Sequence, residues 1–197
     1  IAERHLAAIF GGEIVDHRTY VLASDGDLME GISQEAIALA GHLKLNRMIV
    51  LFDDNGITID GKLSLSDSVD QVKRFEASGW KVLRCDGHDF ASIEAALTAA
   101  QSSDRPVMIA AKTIIGKGAP NLEGGDKVHG APLGDKEIAA VRQHLVWDPV
   151  PFDIPGEIYQ AWDAKARGAE LENAWNANFA AYRAEHPQLA AELERRM

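Results

Sequence analysis

Apolar and polar positions alternate in blocks along the first two thirds of the chain. Two short runs rich in β-branched and apolar residues, 19–23 and 48–52, each stop at a cluster of turn-forming residues. Between them, apolar residues recur at three- and four-residue spacing through Leu45. The runs predict two buried strands, and the spacing predicts a helix with one apolar face. Together they predict a βαβ unit, in which the two strands are parallel.

The same alternation continues toward the C-terminus. It predicts two further helices, over residues 67–78 and 90–101, and two further strands, over residues 80–85 and 106–112. Strands separated by helical segments are typical of an α/β fold with a doubly wound parallel sheet and right-handed crossovers. We therefore expect ligands to bind beyond the carboxyl ends of the strands.

The last third of the chain has a different composition. Residues 116–134 are rich in glycine, which indicates either a functional loop or a disordered one. We predict a helix over 135–145, an extended link over 147–155, and a largely helical region over 157–197 that is broken at Gly168 and Pro187. The predicted division is a cofactor-binding domain over 1–146 and a helical linker toward a further domain over 147–197. Residues 1–10 form an amphipathic helical pattern with no cap, which indicates a piece of a longer polypeptide.

Charge and composition exclude several classes of protein. The chain has 197 residues and a formal net charge of −10, with 20 Lys and Arg against 30 Asp and Glu. Such a balance argues against a nucleic-acid partner. The longest apolar runs have about five residues, whereas a membrane span needs roughly 20. A single cysteine, Cys85, cannot form an internal disulfide, so we expect a reducing, cytoplasmic location.

Oxygen-bearing side chains follow the first two predicted strands. Asp25-Gly26 ends the first, and Asp53-Asp54-Asn55 ends the second, thirty positions further along. Either cluster alone is ordinary turn chemistry. One strand–helix–strand crossover, however, has this length and brings both clusters to the same edge of the sheet. A carboxylate and an amide oxygen there suit a hard cation that carries a diphosphate, and Gly26 would let the backbone approach that anion.

At this point the sequence resembles the transketolases, which are thiamine-diphosphate enzymes. Several separated motifs carry the resemblance in order: residues 24–36, 39–45, 53–61, 74–80, 112–116 and 128–133. The resemblance covers essentially the whole chain. It implies that the chain corresponds to about one third of a family member, namely the later part of the pyrophosphate-binding domain and the link to the next domain.

The resemblance implies a set of cofactor and metal ligands. Asp25, the side-chain oxygen of Asn55 and the backbone carbonyl of Ile57 would hold Mg²⁺, or Ca²⁺ or another divalent ion in its place. Gly26 and Asn55 would contact the diphosphate of thiamine diphosphate. Ile59 would pack against the cofactor rings, although a plain core isoleucine is an equally good interpretation of that residue.

Two further residues are candidates for the catalytic machinery. The resemblance implies that Glu30 is an acidic residue near the cofactor at a dimer interface, whereas an ordinary helix-start glutamate is the simpler alternative. It also implies that His129, in the glycine-rich loop, touches both the cofactor and the donor sugar. A lone histidine is more often structural, but its position in a loop after a strand favours a ligand-contacting role.

The implied reaction moves a two-carbon ketol unit from a ketose phosphate to an aldose phosphate. The expected partners are sugar phosphates, the remaining transketolase domains or subunit, and a second copy in a homodimer. Without those domains we expect the chain to be inactive. A dihydroxyacetone synthase, an E1-type dehydrogenase component and a non-catalytic scaffold remain as alternatives. Two positions depart from the family pattern: Ser24 replaces a glycine, and Asp27 stands where a small residue is common.

Overall fold

The computed structural model describes all residues, 1–197, and contains nine α-helices and six strands. The helices are α1 (Ala2–Phe10), α2 (Asp25–Met29), α3 (Gly31–His42), α4 (Gln71–Ala77), α5 (Phe90–Ala100), α6 (Asp135–His144), α7 (Gly156–Trp162), α8 (Lys165–Glu185) and α9 (Pro187–Arg196). The strands are β1 (Thr19–Ser24), β2 (Met48–Asp54), β3 (Ile57–Thr58), β4 (Gly61–Lys62), β5 (Lys81–Asp86) and β6 (Val107–Lys112).

Four of these strands form one parallel sheet in the order β1-β2-β6-β5. The order is not sequential because α5 carries the chain from β5 back to β6 at the centre of the sheet. The predicted α/β class with a parallel sheet is confirmed, and all four predicted strands lie in that sheet. β3 and β4 form a separate antiparallel hairpin, which the hydrophobic pattern did not indicate because it is too short to alternate.

The two faces of the sheet are covered by different helices. Val50 and Phe52 point to one face, where they pack with Phe75 of α4 and with residues of α3. Ile49 and Ile109 point to the other, where they pack against α5. Successive strand residues point to opposite faces, so an unbroken apolar run such as that of β2 requires both layers of helices.

The prediction that β1 is a buried strand is only half right. Val21 and Ala23 contribute to the core beside α3, but Tyr20 and Leu22 on the opposite face are 52% and 83% exposed. The cause is topological, because β1 is the edge of the sheet and the core under α5 contains no β1 residue. Hydrophobicity alone could not distinguish an edge strand from a central one.

Two predicted element boundaries shift for local reasons, and one predicted turn is a short helix. α3 ends at His42 rather than Leu45, because Lys44 has a positive φ of 49° and the Leu45 amide donates back to the Ala40 carbonyl at 3.1 Å. α4 begins at Gln71 rather than near Asp67, since the Asp67 side chain accepts the Val69 amide in a turn at 2.9 Å. The turn predicted after β1 is instead the one-turn helix α2.

The chain folds into two compact units, residues 18–147 and residues 1–17 with 148–197. The first contains the sheet. The second has its own apolar core, formed by Phe10, Ile14, Val15, Phe179, Tyr182, Ala190 and Leu193. Residues 1–17 therefore group with the C-terminal helices, whereas the sequence-based division placed them in the 1–146 domain. The assignment of the two parts to a cofactor domain and a linker stays a prediction.

None of the nine helices could span a bilayer, and even the 21-residue α8 carries charged side chains along its length.

The predicted helix break at Gly168 is wrong, whereas the break at Pro187 is confirmed. Gly168 lies inside α8, and its amide donates to the Ala164 carbonyl at 2.7 Å. The chain turns earlier, where the Asp163 side chain accepts the Lys165 amide at 3.0 Å. A glycine destabilises a helix by only about 1 kcal/mol relative to alanine, so neighbouring residues can carry the helix through it.

We therefore expect Gly168→Ala to stabilise the second unit. A Cβ at this position meets no atom within 4 Å, so only helix propensity changes. The free energy of unfolding should rise by about 0.5 to 1 kcal/mol, measured by urea denaturation followed through helical circular dichroism. Gly12→Ala, which is equally open but lies outside any helix, is the matched control. A lower stability of Gly168→Ala would contradict a continuous α8.

Candidate functional site

The carboxyl ends of the strands bring the predicted ligands together. Ser24 at the end of β1 is in register with Asp53 of β2, and Asp53 is in register with Ala111 of β6. The residues that follow these positions therefore leave the sheet side by side. As the crossover length predicted, Asp25 and the 53–55 segment lie at one edge.

Asp25 is a buried carboxyl group without a partner. The residue is 2% exposed, and neither Oδ1 nor Oδ2 accepts a hydrogen bond. Burial, reinforced by the negative charge of Asp54, raises the pKa of Asp25 to about 6. The Gly56 amide, which lies near the carboxyl group without meeting the geometry of a hydrogen bond, and Lys112 act in the opposite direction. A buried carboxylate without compensation is costly. Both oxygens of the Asp25 carboxylate are therefore available to bind a cation.

Asn55 is held in one orientation by its neighbours. Its Nδ2 donates to Asp53 Oδ2 at 3.0 Å, and its Oδ1 accepts the Ile57 amide at 2.8 Å. An amide oxygen has a second lone pair, so Oδ1 can still bind a cation. The structure contains no group of three or more His, Cys, Asp and Glu suited to a metal. A cation here would depend on amide and carbonyl oxygens beside Asp25, which is a hard-ion donor set.

A cleft of about 590 Å³ opens beside these residues. Five of the seven predicted site residues line it: Gly26, Asn55, Ile57, Ile59 and His129. Asp25 is buried and contributes no surface to it, and Glu30 is exposed at the turn between α2 and α3, outside the cleft.

The character of the cleft varies along its wall. Gly26 faces open space, since a Cβ there would meet nothing within 4 Å. Ile59, at the tip of the β3–β4 hairpin, is 67% exposed, so it is not an ordinary core isoleucine in this chain. With a cation bound at its oxygen-rich end, the cleft could accept a ligand that has an anionic part, held by that cation, and a flat apolar part beside Ile59.

The two departures from the family pattern are bonded to each other. Asp27 Oδ2 accepts both the backbone amide and the hydroxyl of Ser24, each at 2.8 Å. These bonds, the backbone one first, lower the pKa of Asp27. The two bonds join Ser24, just before α2, to Asp27 in its first turn and give the Asp27 carboxylate a partner. Ser24 has φ −105°, which any residue adopts, so the loss of glycine requires no strain.

The 116–134 loop that carries His129 is packed against α6. The side chain of Glu137, 7% exposed, accepts the Asn121 amide at 2.9 Å and the Asn121 side chain at 2.8 Å. Glu123 in turn accepts the Gly118 amide at 3.0 Å. These contacts order residues 118–123, which argues against the disordered alternative, and a function of the loop stays a prediction. Sequence reasoning missed Glu137, whose only signal was an acidic residue in the first turn of a predicted helix.

The comparisons with known proteins all find transketolases. Residues 1–197 match the family model described as transketolase, thiamine diphosphate binding domain. The chain is 54% identical over 201 residues to transketolase 1 of Aliivibrio fischeri, covering 100% of this chain and 30% of that protein. It is 56% identical over 182 residues to the transketolase of Cereibacter sphaeroides, covering 92% of this chain and 28% of that protein.

Solved structures give the same result for the fold. The transketolase of Leishmania mexicana has a TM-score of 0.90 at 39% identity, with 96% of this chain and 29% of that one covered. The transketolase of Pichia stipitis in complex with sedoheptulose 7-phosphate has a TM-score of 0.93 at 35% identity, with 99% and 30% covered. The chain thus spans about 30% of the length of the relatives it matches.

Proposed function

Because this chain belongs to the transketolase family, within its thiamine-diphosphate-binding domain, we propose that it anchors the cofactor in an enzyme that transfers a two-carbon ketol unit from a ketose phosphate to an aldose phosphate. The observation that carries the proposal is the buried, partnerless carboxyl group of Asp25 beside the oriented amide of Asn55. A protein that serves only as a scaffold needs neither the buried carboxyl group nor the oriented amide, whereas a divalent cation would bind the oxygens of both.

The residues at the strand ends fit the cofactor and its metal. Asp25, Asn55 Oδ1 and the Ile57 carbonyl would hold Mg²⁺, and the cation would compensate the buried charge that raises the Asp25 pKa. Gly26 and Asn55 would contact the diphosphate, and the exposed Ile59 would pack against the rings. Thiamine diphosphate, when bound, supplies the electron sink for breaking the carbon–carbon bond.

The protein's own part in the reaction is to bind, orient and move protons. His129 lines the cleft and is exposed there. It would hydrogen-bond the donor sugar. Glu30 would be the acidic residue near the cofactor at a dimer interface. It lies in the turn after α2 and is exposed, so a partner domain could contact it.

An exposed apolar groove supports a role for further parts of the enzyme. A cleft of about 640 Å³ on the α5 side of the sheet is lined by Leu22, Leu51, Ile93, Leu97 and Ile109, and Leu22 is 83% exposed. An apolar surface of this kind marks an interaction site. We include in the proposal the remaining transketolase domains, a homodimer, sugar phosphates as substrates and a cytoplasmic location, the last consistent with one free, buried cysteine.

The proposal is tested by grafting the chain into a relative. The 197 residues replace the matching segment of the Cereibacter sphaeroides transketolase, and ketol transfer between sugar phosphates is measured with and without thiamine diphosphate and Mg²⁺. We expect activity that requires both additions. A folded hybrid that binds thiamine diphosphate but transfers no ketol unit would favour a different thiamine-diphosphate enzyme, and one that binds none would favour a scaffold.

In the same hybrid we expect His129→Ala to lower kcat/KM for the ketose donor about tenfold or more. Loss of one hydrogen bond to the substrate is worth about 1.4 kcal/mol, which corresponds to a factor of ten. His42→Ala is the matched control, because His42 is exposed at the end of α3 and lies outside the cleft. Equal donor kinetics in both variants would remove His129 from the site.

A further inference from the structure

A chain of hydrogen bonds connects the end of β6 to the cation ligand Asn55. The hydroxyl of Thr113 donates to Asp53 Oδ1, and the other oxygen of that carboxylate, Oδ2, accepts Asn55 Nδ2 at 3.0 Å. The opposite side of the Asn55 amide, Oδ1, accepts the Ile57 amide at 2.8 Å. Both ends of the Asn55 side chain are therefore engaged.

The chemistry of the partners sets the direction of the amide. A carboxylate only accepts hydrogen bonds and a backbone N–H only donates them. The amino group of Asn55 must therefore face Asp53, and its oxygen must face the Ile57 side, where the proposed cation binds. A flipped amide would lose both bonds and would present hydrogens to a positive ion. Asp53 thus selects the orientation of Asn55 that can ligate.

Asp53 is itself held by the neighbouring strands. Besides its hydroxyl bond, Thr113 donates its backbone amide to the Asp54 carbonyl at 3.4 Å, which keeps its side chain beside Asp53. Gly87, after β5, makes room for it, because a Cβ at Gly87 would overlap the Thr113 methyl group and lie 3.0 Å from the Lys112 carbonyl oxygen. The position of the hydroxyl is thus fixed by the packing of β2, β5 and β6.

We propose that Thr113 and Asp53 are positioning residues that hold the Asn55 amide with its oxygen toward the cation. The proposal rests on the proposed function for the identity of the bound group, but the hydrogen-bond chain exists without it. Partners one step removed from a metal typically change its affinity 10- to 100-fold when they are lost. Neither residue touches the cofactor in this proposal, and both act through Asn55.

The first test needs no ligand. The side-chain amide signals of Asn55 in a ¹H–¹⁵N spectrum, identified by their loss in Asn55→Ala, are compared in Thr113→Val, Thr113→Ser and the parent. Valine keeps the shape of threonine without the hydroxyl, and serine keeps the hydroxyl. We expect the Asn55 signals to shift and their hydrogens to exchange with water faster in Thr113→Val only. Unchanged signals in Thr113→Val would overturn the proposal.

The second test measures affinity for Mn²⁺ in the presence of thiamine diphosphate by electron paramagnetic resonance. We expect Thr113→Val and Asp53→Asn to weaken Mn²⁺ binding 10- to 100-fold, and Thr113→Ser to stay within about threefold of the parent. Urea unfolding midpoints verify that the variants remain folded. Equal weakening in Thr113→Ser and Thr113→Val would contradict a role for the hydroxyl. A parent that fails to bind Mn²⁺ even within the hybrid with the Cereibacter sphaeroides transketolase refutes the proposed function, and the amide spectrum then decides the hydrogen-bond chain by itself.

Discussion

Asp25→Ala is expected to abolish metal-dependent binding of thiamine diphosphate. Residues that merely support a metal ligand change affinity 10- to 100-fold, so removal of the ligand itself should weaken binding by at least about 100-fold. Asp25 is the single carboxylate among the three proposed ligands, so its loss also removes the only negative charge that they offer the cation. Calorimetric titration of thiamine diphosphate in the presence of Mg²⁺ measures the effect.

The control is another acidic residue of the same cleft. Asp60 is exposed in the β3–β4 hairpin and lines the cleft without belonging to the proposed ligand set. Asp60→Ala should bind within a few-fold of the parent. Equal affinity in Asp25→Ala and the parent would show that Asp25 holds no cation, and equal loss in both variants would indicate a general charge effect.

The same substitution should stabilise the protein when no ligand is present. The pKa of Asp25 is about 6 in the folded chain against an ordinary value of 3.8. The folded state therefore holds the proton more tightly, and its stability falls as pH rises from about 4 to about 6. Above that range the ionised group destabilises the fold by on the order of 2 to 3 kcal/mol, since each pKa unit corresponds to about 1.4 kcal/mol.

The parent and the variant should consequently respond differently to pH. Relative to Asp25→Ala, the parent should lose stability between pH 4 and pH 6, and the variant should be the more stable at pH 8. Urea unfolding at several pH values measures this difference. Addition of Mg²⁺ and thiamine diphosphate should reverse the order at pH 8, because only the parent binds them. A parent that is more stable than the variant at every pH would mean that Asp25 has an unseen partner.

The second large effect is expected from Gly41→Ala in α3. A Cβ at Gly41 would overlap the carbonyl oxygen of Ser78 and lie 3.3 Å from Cδ1 of Trp80. The obstruction is backbone, so it cannot rotate away. Helix propensity alone would predict stabilisation by about 1 kcal/mol. We expect the opposite sign, a loss of about 3 kcal/mol or an insoluble protein.

The expected effect is large because the close approach of α3 to Ser78 positions the side chain of Trp80. Trp80 Nε1 donates to the Ile37 carbonyl of α3 at 2.8 Å, and its ring meets Phe75 edge-on at 4.9 Å. Pushing α3 away from the turn at Ser78 would break the hydrogen bond from Trp80 to Ile37 and open the core that α3 forms with Trp80 and Phe75 on that face of the sheet. The tryptophan fluorescence change during urea unfolding reports the loss.

Gly31→Ala, in the same helix, is the matched control for Gly41→Ala. A Cβ at Gly31 meets nothing within 4 Å, so its substitution should leave stability unchanged or raise it slightly. A Gly41→Ala protein that is as stable as Gly31→Ala would show that α3 does not rest directly on the Ser78 backbone.

Repeating patterns determined the sheet and its helices from the sequence alone. The apolar run of β2 and the spacing in α3 reflect burial, and burial acts on every residue of an element at once. The boundaries that shifted depend instead on single hydrogen bonds. Asp67 binding the Val69 amide and Asp163 binding the Lys165 amide are local alternatives to the helix that periodicity cannot reveal.

The candidate site was predictable as a set of residues but not as a physical environment. The topology placed Asp25 and Asn55 at one sheet edge, the resemblance of the motifs added His129, and the structure brings Asn55 and His129 to one cleft. Their binding roles remain predictions. Nothing in the sequence indicated that Asp53 is shared between Thr113 and Asn55, because those residues are joined only when β2 and β6 become neighbours.

The sequence by itself therefore determined the fold class, the order of the elements and the residue types collected at the strand ends. These follow from periodicity and from the fixed geometry of parallel strands. Only the tertiary structure decided that β1 is an exposed edge, that Gly41 is a contact point and that both oxygens of Asp25 are buried without partners. The physical reason is that burial and hydrogen-bond satisfaction are properties of what surrounds a residue, and the surroundings here come from segments distant in the chain.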